Sequence, residues 1–591
     1  MKYNKKRAPI SRIQNLLVFV CQLLILAALG TLLAGPVIEK NSAKDEEEVI
    51  IIVDASVGMR MTDSMATRFE RAMQEAKVKA KSAFENGAPV TLILADDSPE
   101  IVFSRLGKDN EEEAIGMIDA IYSEAEERCS FTSADMSSAM TLAESVLELN
   151  PDAEICFYTC TEYTYNNGVN VINVSDKSEW NAAILGCKAE LDNDNHYKIT
   201  VSAACYDKTD FITVFCKIHG VNGDSDSTVL LEKGEFFDPS NEEKEIVFNS
   251  DDLSSGAIYS YDYIEVYVSV RDSFAEDNSF FLYGGSKGIV KIQYASSSPN
   301  NFFESALRSI RQSNLDSWDV QLTMLKEDEA FATEGFDIYI FEHKMPDVLP
   351  TDGVVLLVDP TSAPNGSGLQ IGSSYHVDSS SILSQGTSHA ITKYAAAERI
   401  TIAKYNDIIL NEGYEELMFY NGRPVMLLKD TPDTKVLVWA FDLNYSNIIA
   451  LPEFSVLLYN FFNYFVPQTL ASDYYEVGDT VEFNGRGTNL TVTGNGEEYK
   501  FENGKGEMIT TLPGIYSVTQ SSIGDRELPE ERFFVKTPSA ESDTTKEADV
   551  LPLTVPDSII EIEYQDLILY FAIAILLIMF AEWVLEIKRN Y

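Results

Sequence analysis

Two long apolar segments, one at each end of the chain, constrain its architecture more than any other feature. Residues 16–35 read LLVFVCQLLILAALGTLLAG, apolar except for Gln22 and Thr31, and at ~1.5 Å per helical residue such a run crosses a ~30 Å hydrocarbon core. The second segment, residues 567–587, is unbroken to Ala581 and carries Glu582 and Trp583 near its far end, with Lys588 and Arg589 just beyond. Lys2, Lys5, Lys6, Arg7 and Arg12 flank the first segment with no acid among them. The positive-inside rule therefore places the basic tail 1–15 and the tail 588–591 in the cytoplasm, with membrane helices at 16–36 and 567–587 and a large extracytoplasmic body between them. A cleaved signal peptide would also use basic residues, an apolar run and small residues such as Ala34 and Gly35. The run exceeds the ~7–15 residues of a signal core, which favours a retained anchor in the cytoplasmic membrane.

The body is too long for one core: 591 residues predict roughly three to five units. Ninety-three acidic against 45 basic residues give a net charge of −48, which repels a phosphate backbone and excludes nucleic acid as a partner. The acidity reads as a solvated surface that resists self-association rather than as a cation store. Apolar residues at 45% rule out wholesale disorder. Seven cysteines, none after Cys216, are too few for a disulfide scaffold.

Residues 46–190 read as a doubly wound α/β unit. Val49–Val53 are five β-branched residues in a row, the signature of a strand buried on both faces. Phe69, Met73, Ala76, Ala80 and Phe84 follow at helical spacing, then a strand over Val90–Ala95, a helix marked by Met136, Ala139, Met140, Ala143 and Leu147, and a strand over Ala153–Tyr158. In such folds ligands lie at the carboxyl ends of the strands. The stretch Glu46–Asp176 resembles the von Willebrand factor A family, whose Asp-x-Ser-x-Ser loop, a Thr and a later Asp hold a divalent cation that completes its shell with a ligand's carboxylate. Asp54 and Ser56 match that loop, whereas Gly58 stands at its second Ser, Ala134 at the Thr and Cys160 at the later Asp. Thr132, Ser133 or Asp135 supply oxygens one register away. The resemblance thus implies a degenerate adhesion site of Asp54, Ser56, Thr132 and Asp135 for Mg²⁺ or another divalent cation. On their own chemistry, Asp54 and Ser56 serve equally as caps of backbone amides at the following turn, and no resident cofactor is expected. Cys156 and Cys160 lack a zinc spacing and read as small buried hydrophobes.

Short alternating strands over 196–285, such as Tyr197–Ser202 and Phe211–Ile218, predict a β-sandwich. Residues 288–467 return to α/β, with apolar strands over Ile338–Phe341, Val354–Val358 and Val436–Phe441 and a closing helix over Phe454–Phe465 that Pro467 ends. This unit is similar to the class I glutamine amidotransferase-like domains. That resemblance would imply amide hydrolysis, but the chemistry needs an activated Cys, no Cys occurs in this unit, and the phrases Gly366-Ser367-Gly368 and Gly372-Ser373-Ser374 do not supply a nucleophile elbow for a Ser. His343, His376 and His389 are accordingly expected on the surface or in loops, and no enzyme activity or small-molecule substrate is expected. A small β domain over 471–537 follows, and the acidic, Ser/Thr-rich stretch 538–565 reads as a linker to the membrane.

The expected fold class is therefore multidomain α/β and β, with one transmembrane helix at each end. In order, together with the phrases Ala34-Gly35-Pro36, Ala440-Phe441-Asp442-Leu443 with Ser446, and Glu582-Trp583, the units resemble the bacterial BatA-like membrane proteins. That family implies a non-enzymatic membrane component associated with MoxR-type ATPases. The leading expectation is a protein that assembles protein partners outside the membrane through the loop edge Asp54–Met59 and Thr132–Asp135. The alternatives are a cation-dependent adhesin or receptor and, in another class, a hydrolase in 288–467.

Overall fold

The computed structural model of the chain describes residues 8–35, 37–40, 48–192, 196–249, 258–283, 289–313, 319–325, 329–377, 382–487, 489–502, 504–521, 526–554 and 563–590. Lys2, Lys5, Lys6 and Arg7, most of the acidic spacer before Val49, and residues 555–562 of the expected linker lie outside this set. The described residues form a mixed α/β and β-rich molecule of several sheets with one apolar helix near each end. Helices Ala8–Leu33 and Ile568–Asn590 contain stretches, Asn15–Leu33 and Ile568–Ile587, long and apolar enough to cross a membrane. They pack together, and Gln22 Nε2 donates to Glu582 Oε1 at 2.8 Å. Beside them, strand Val37–Lys40 pairs antiparallel with Glu563–Asp566.

The first sheet has the order Glu100–Leu106, Val90–Ala95, Val49–Asp54, Glu154–Thr159, Asn170–Asn173. All neighbours are parallel except the Glu100–Leu106 edge. The alternation of a strand explains why Val49–Val53 had to be apolar throughout. Val49, Ile51 and Val53 face the helix Arg68–Glu85, packing with Phe69, Met73 and Phe84, while Ile50 and Ile52 face the helix Met136–Leu147 on the other side. The first of these helices starts at a capping box: Glu70 N donates to Thr67 Oγ1 at 3.1 Å and Thr67 N to Glu70 Oε2 at 2.7 Å.

Next comes a seven-stranded sandwich, a four-stranded sheet of Thr228–Phe237, Asp210–His219, Tyr263–Val268 and Ser279–Leu282 over a three-stranded sheet of Glu243–Phe248, Tyr197–Tyr206 and Asn181–Leu191. Strand Asn181–Leu191, within the range assigned from sequence to the first unit, belongs here: it pairs with Tyr197–Tyr206 along its length. Its small, largely apolar residues carry no turn signal that separates it from the α/β pattern before it.

The third unit is built on an eight-stranded sheet. Five strands run parallel in the order Asp319–Leu325, Ile289–Ser296, Ile338–Glu342, Val354–Val358, Thr434–Trp439, and the remaining Arg423–Thr431, Glu415–Tyr420 and Ser384–Gln385 continue it antiparallel. The strand order reverses between Ile289–Ser296 and Ile338–Glu342, the kind of place where such sheets open a crevice. A five-stranded sheet and a two-stranded ribbon make up the last β unit, over residues 474–536.

The stretch after it corrects the linker expectation. Residues 538–554 are a strap bound to the first unit. Ser539–Glu541 form a short 3₁₀ turn, and Glu547–Val550 pair in parallel with Glu162–Tyr165. Leu551 and Leu553 enter the core with Ile50, Ile52 and Phe157. Arg68 Nη2 donates to Thr544 O at 2.8 Å and Asn181 Nδ2 to Ser542 O at 2.9 Å. Ser, Thr and acidic residues suggest solvated chain by composition, yet their backbone and side chains here satisfy buried donors on other elements.

Candidate functional site

Asp54 ends the central strand of the first sheet, and both its carboxylate oxygens are engaged. Oδ1 accepts Ser56 N at 2.9 Å and Oδ2 accepts the Thr159 hydroxyl at 2.6 Å. Burial raises its pKa more than these hydrogen bonds lower it, with Glu541 adding to the rise. Thr132 joins the same loop cluster through its carbonyl, which accepts Val57 N at 2.9 Å, while its hydroxyl meets Ser130 Oγ at 2.9 Å. Asp135 is drawn elsewhere. It caps the helix Met136–Leu147 by accepting Ser138 N at 3.0 Å and Ser138 Oγ at 2.6 Å, and those bonds lower its pKa. Three of the four sequence-derived site residues therefore meet, and the fourth does not. Of the capping role expected of Asp54 and Ser56, Asp54 plays it toward Ser56 N, whereas the Ser56 side chain makes no cap hydrogen bond to the turn Val57–Arg60.

The loop edge expected to dock partners is largely covered by the chain itself. Asp54, Ser56, Val57, Gly58 and Met59 are buried, and Val57 and Met61 pack with Phe274 from the end of the sandwich. Thr132 is buried too, leaving Ser133 and Asp135 exposed. Over Gly58 lies Glu541 of the strap, 1% exposed. A Cβ on Gly58 would stand 2.9 Å from Glu541 Oε2 and 3.3 Å from Cys160 Sγ. Glu541 Oε1 pairs with Lys546, and Oε2 has no hydrogen-bond partner among the described residues. Burial pushes the Cys160 thiol up to about 12, consistent with an inert packing role. Beside the strap, Arg68, Glu162, Asp176, Glu179, Asp207 and Thr544 are among the residues lining a cavity of about 440 Å³.

A second cluster, which the sequence reading did not assemble, lies at the carboxyl ends of the parallel strands in the third unit. His343 follows Ile338–Glu342, Asp359 follows Val354–Val358, and Asp442 lies three residues past Thr434–Trp439. Lys404 and Asn406 reach in from the strand Lys404–Asn411. His343 Nδ1 is 2.9 Å from Asp359 Oδ2, and Lys404 Nζ bridges Asp359 Oδ2 at 3.0 Å and Asp442 Oδ2 at 2.9 Å. Asn406 Nδ2 donates to Asp359 Oδ1 at 2.6 Å and to Pro360 O at 3.0 Å. His343 and Asp359 both hold positive φ, 57° and 46°, a region that non-glycine residues rarely occupy.

The electrostatics follow from this packing. The hydrogen bond to Asp359 raises the His343 pKa against the opposing effect of burial. For Asp359, burial alone would raise the pKa, but hydrogen bonds from His343 and Lys404 hold it below the usual carboxylate value. Next to them, Glu342 Oε2 accepts Asn300 N at 3.3 Å and the Tyr294 hydroxyl, while Oε1 has no partner among the described residues. His343, expected on the surface or in a loop, lies in the loop directly after Ile338–Glu342, but with its side chain only 13% exposed and within an ion-pair network. His376 is exposed, and His389 accepts Ile391 N at 3.1 Å as a turn cap. The signal available in the sequence was an acid or His placed directly after a run of buried apolar residues, as in VVLLVD and IYIFEH.

No family model and no curated protein matches the chain. Among solved structures, a cytoplasmic protein of Salmonella typhimurium LT2 is 14% identical over 30% of this chain and 99% of its own, with a TM-score of 0.23. A second cytoplasmic protein of Salmonella typhimurium is 10% identical over 30% and 98%, with a TM-score of 0.22. A ThuA-like protein of Parabacteroides merdae is 11% identical over 29% and 87%, with a TM-score of 0.19. Scores at this level transfer neither fold nor function.

Proposed function

We propose that the chain is a membrane-anchored, non-enzymatic scaffold of the von Willebrand factor A, BatA-like kind. Both of its ends are cytoplasmic, and its body assembles protein partners outside the cytoplasmic membrane. The observation that carries this reading is the antiparallel pairing of Val37–Lys40 with Glu563–Asp566 beside two packed apolar helices. Antiparallel strands joined to adjacent helices send both into a bilayer from one face, so the termini share a side and the body occupies the other. The basic residues at the N-terminus and Lys588–Arg589 put the shared side in the cytoplasm. Support for the von Willebrand A assignment comes from the central Val49–Asp54 strand, the single antiparallel edge, and the placement of Asp54, Ser56 and Thr132 in one loop cluster.

The docking rim of this reading narrows to Ser133 and Asp135, the part of the expected edge still exposed. The adhesin alternative needs carboxylate oxygens free to hold a cation, and those of Asp54 are both engaged. The hydrolase alternative gains an oriented His–Asp pair in His343 and Asp359, but among the described residues no hydroxyl or thiol hydrogen-bonds His343.

The test places single cysteines on a Cys-free background. Ser133→Cys and Asp135→Cys should label with an impermeant maleimide in spheroplasts, whereas Asn4→Cys and Tyr591→Cys should label only after lysis. The reversed pattern, or release of the chain from vesicles by carbonate, overturns the topology. Partners that remain bound when Ser133 and Asp135 are both changed to Lys overturn the rim.

A further inference from the structure

The cluster of His343, Asp359 and Asp442 is, we propose, a binding site for one divalent transition-metal ion, with Lys404 as the exchangeable cation that holds its place. One donor atom from each of the three residues lies within 4.8 Å of the others. The 2.9 Å between His343 Nδ1 and Asp359 Oδ2 matches the roughly 3 Å span between adjacent ligands on an ion bound at about 2.1 Å.

The bridging lysine marks where the ion goes. Its ammonium contacts Asp359 Oδ2 and Asp442 Oδ2 at 3.0 and 2.9 Å, so the two carboxylates already converge on one positive charge. Lys404 is the part of the cluster able to leave. Its side chain is 22% exposed, against 0% for Asp359 and 6% for Asp442, and it ends a flexible four-carbon stem. The carboxylates, by contrast, are held. Asn406 fixes the far oxygen of Asp359, and Asp442 Oδ1 accepts Asn444 N at 2.9 Å. Two neighbouring strand ends keep His343 and Asp359 in left-handed backbone conformations, a strain that a structure retains when its surroundings over-determine it.

The donor set selects the metal class. One imidazole nitrogen with two carboxylate oxygens suits Zn²⁺, Co²⁺ or Mn²⁺ better than thiol-seeking Cu(I), and Mg²⁺ and Ca²⁺ prefer oxygen throughout. On binding, His343 Nδ1 gives up its proton and the Lys404 ammonium moves out to solvent, so the ion replaces one hydrogen bond and two ion pairs. Three protein ligands leave positions for water or an exogenous ligand at the carboxyl edge of the sheet.

The experiment uses the full chain, chelator-treated and held in detergent micelles, titrated with Co²⁺ in high salt to suppress binding to the acidic surface. One equivalent should develop visible d–d absorption, and Zn²⁺ should displace it. Lys404→Met removes the competing cation and should bind at least tenfold more tightly, while His343→Gln and Asp442→Asn should lose the spectrum with near-ultraviolet circular dichroism unchanged. Absence of the spectrum from both the wild type and Lys404→Met overturns the site. So does a spectrum that persists in His343→Gln or Asp442→Asn. Should Asp442→Asn fail to fold, the opposite shifts of Lys404→Met and His343→Gln decide the matter alone.

Discussion

Gly58 and Glu541, 483 positions apart in the sequence, occupy one another's space: a Cβ at residue 58 would come within 2.9 Å of the Glu541 carboxylate. The strap residue fills the volume that a side chain at 58 would need, which gives a steric reason for glycine at this position. Cys160 Sγ would lie 3.3 Å from the same Cβ.

Gly58→Ser should therefore destabilise the chain by about 1–3 kcal/mol, the usual penalty for overpacking a filled site. In an Glu541→Ala background the same substitution should lose much of that effect. Denaturant unfolding of the four proteins of this cycle measures the coupling, and equal penalties in both backgrounds would show that the strap does not press on residue 58.

Leu551 is fully buried among Ile50, Ile52 and Phe157. Leu551→Ala should lower stability by about 2–5 kcal/mol if the strap is part of the first core. It should also open residues 538–554 to limited proteolysis, whereas a solvated linker would be cut in the wild type and indifferent to the substitution.

Asp277 supplies a pH signature. Burial outweighs hydrogen bonds from Ser542 and Asn181 and pushes its pKa up to about 8 from 3.8. Folded chains then hold a proton that unfolded chains release between those two values, so the contribution is most favourable below pH 4, falls as pH rises, and levels off above about pH 8. Asp277→Asn should flatten that part of the stability profile, with the mutant gaining on the wild type from pH 5 to 8 in thermal melts. Parallel profiles would mean that Asp277 is ionised in the fold.

Within the apolar helices, Gln22 donates to Glu582 at 2.8 Å. Interhelical polar bonds in membranes contribute about 0.6–1.7 kcal/mol, so Gln22→Leu should weaken helix pairing modestly without releasing the chain from the bilayer. Disulfide cross-linking between cysteines placed on the two helices reads this out; an unchanged yield would remove the bond from the pairing energetics.

What was legible in the sequence is what local pattern dictates. Val49–Val53 announced a strand covered on both faces because five consecutive β-branched residues leave no face for water, and the helices with Phe69 or Met140 followed from spacing alone. The apolar ends were equally plain, since length and hydropathy decide whether a helix can span a bilayer. The candidate site was legible near Asp54, where residues adjacent in sequence make the turn, and at Thr132, which meets that turn through its carbonyl.

Other features required the folded chain. Glu541 over Gly58, Leu551 beneath the first sheet, and the gathering of His343, Asp359, Lys404 and Asp442 all join residues from distant segments. No periodicity records such meetings, because they depend on strand order and on which loops the sheet brings to one edge. The stretch 538–565 reads as a linker to the membrane from its composition, and tertiary structure makes residues 538–554 a strap because their polar groups find buried partners elsewhere in the molecule.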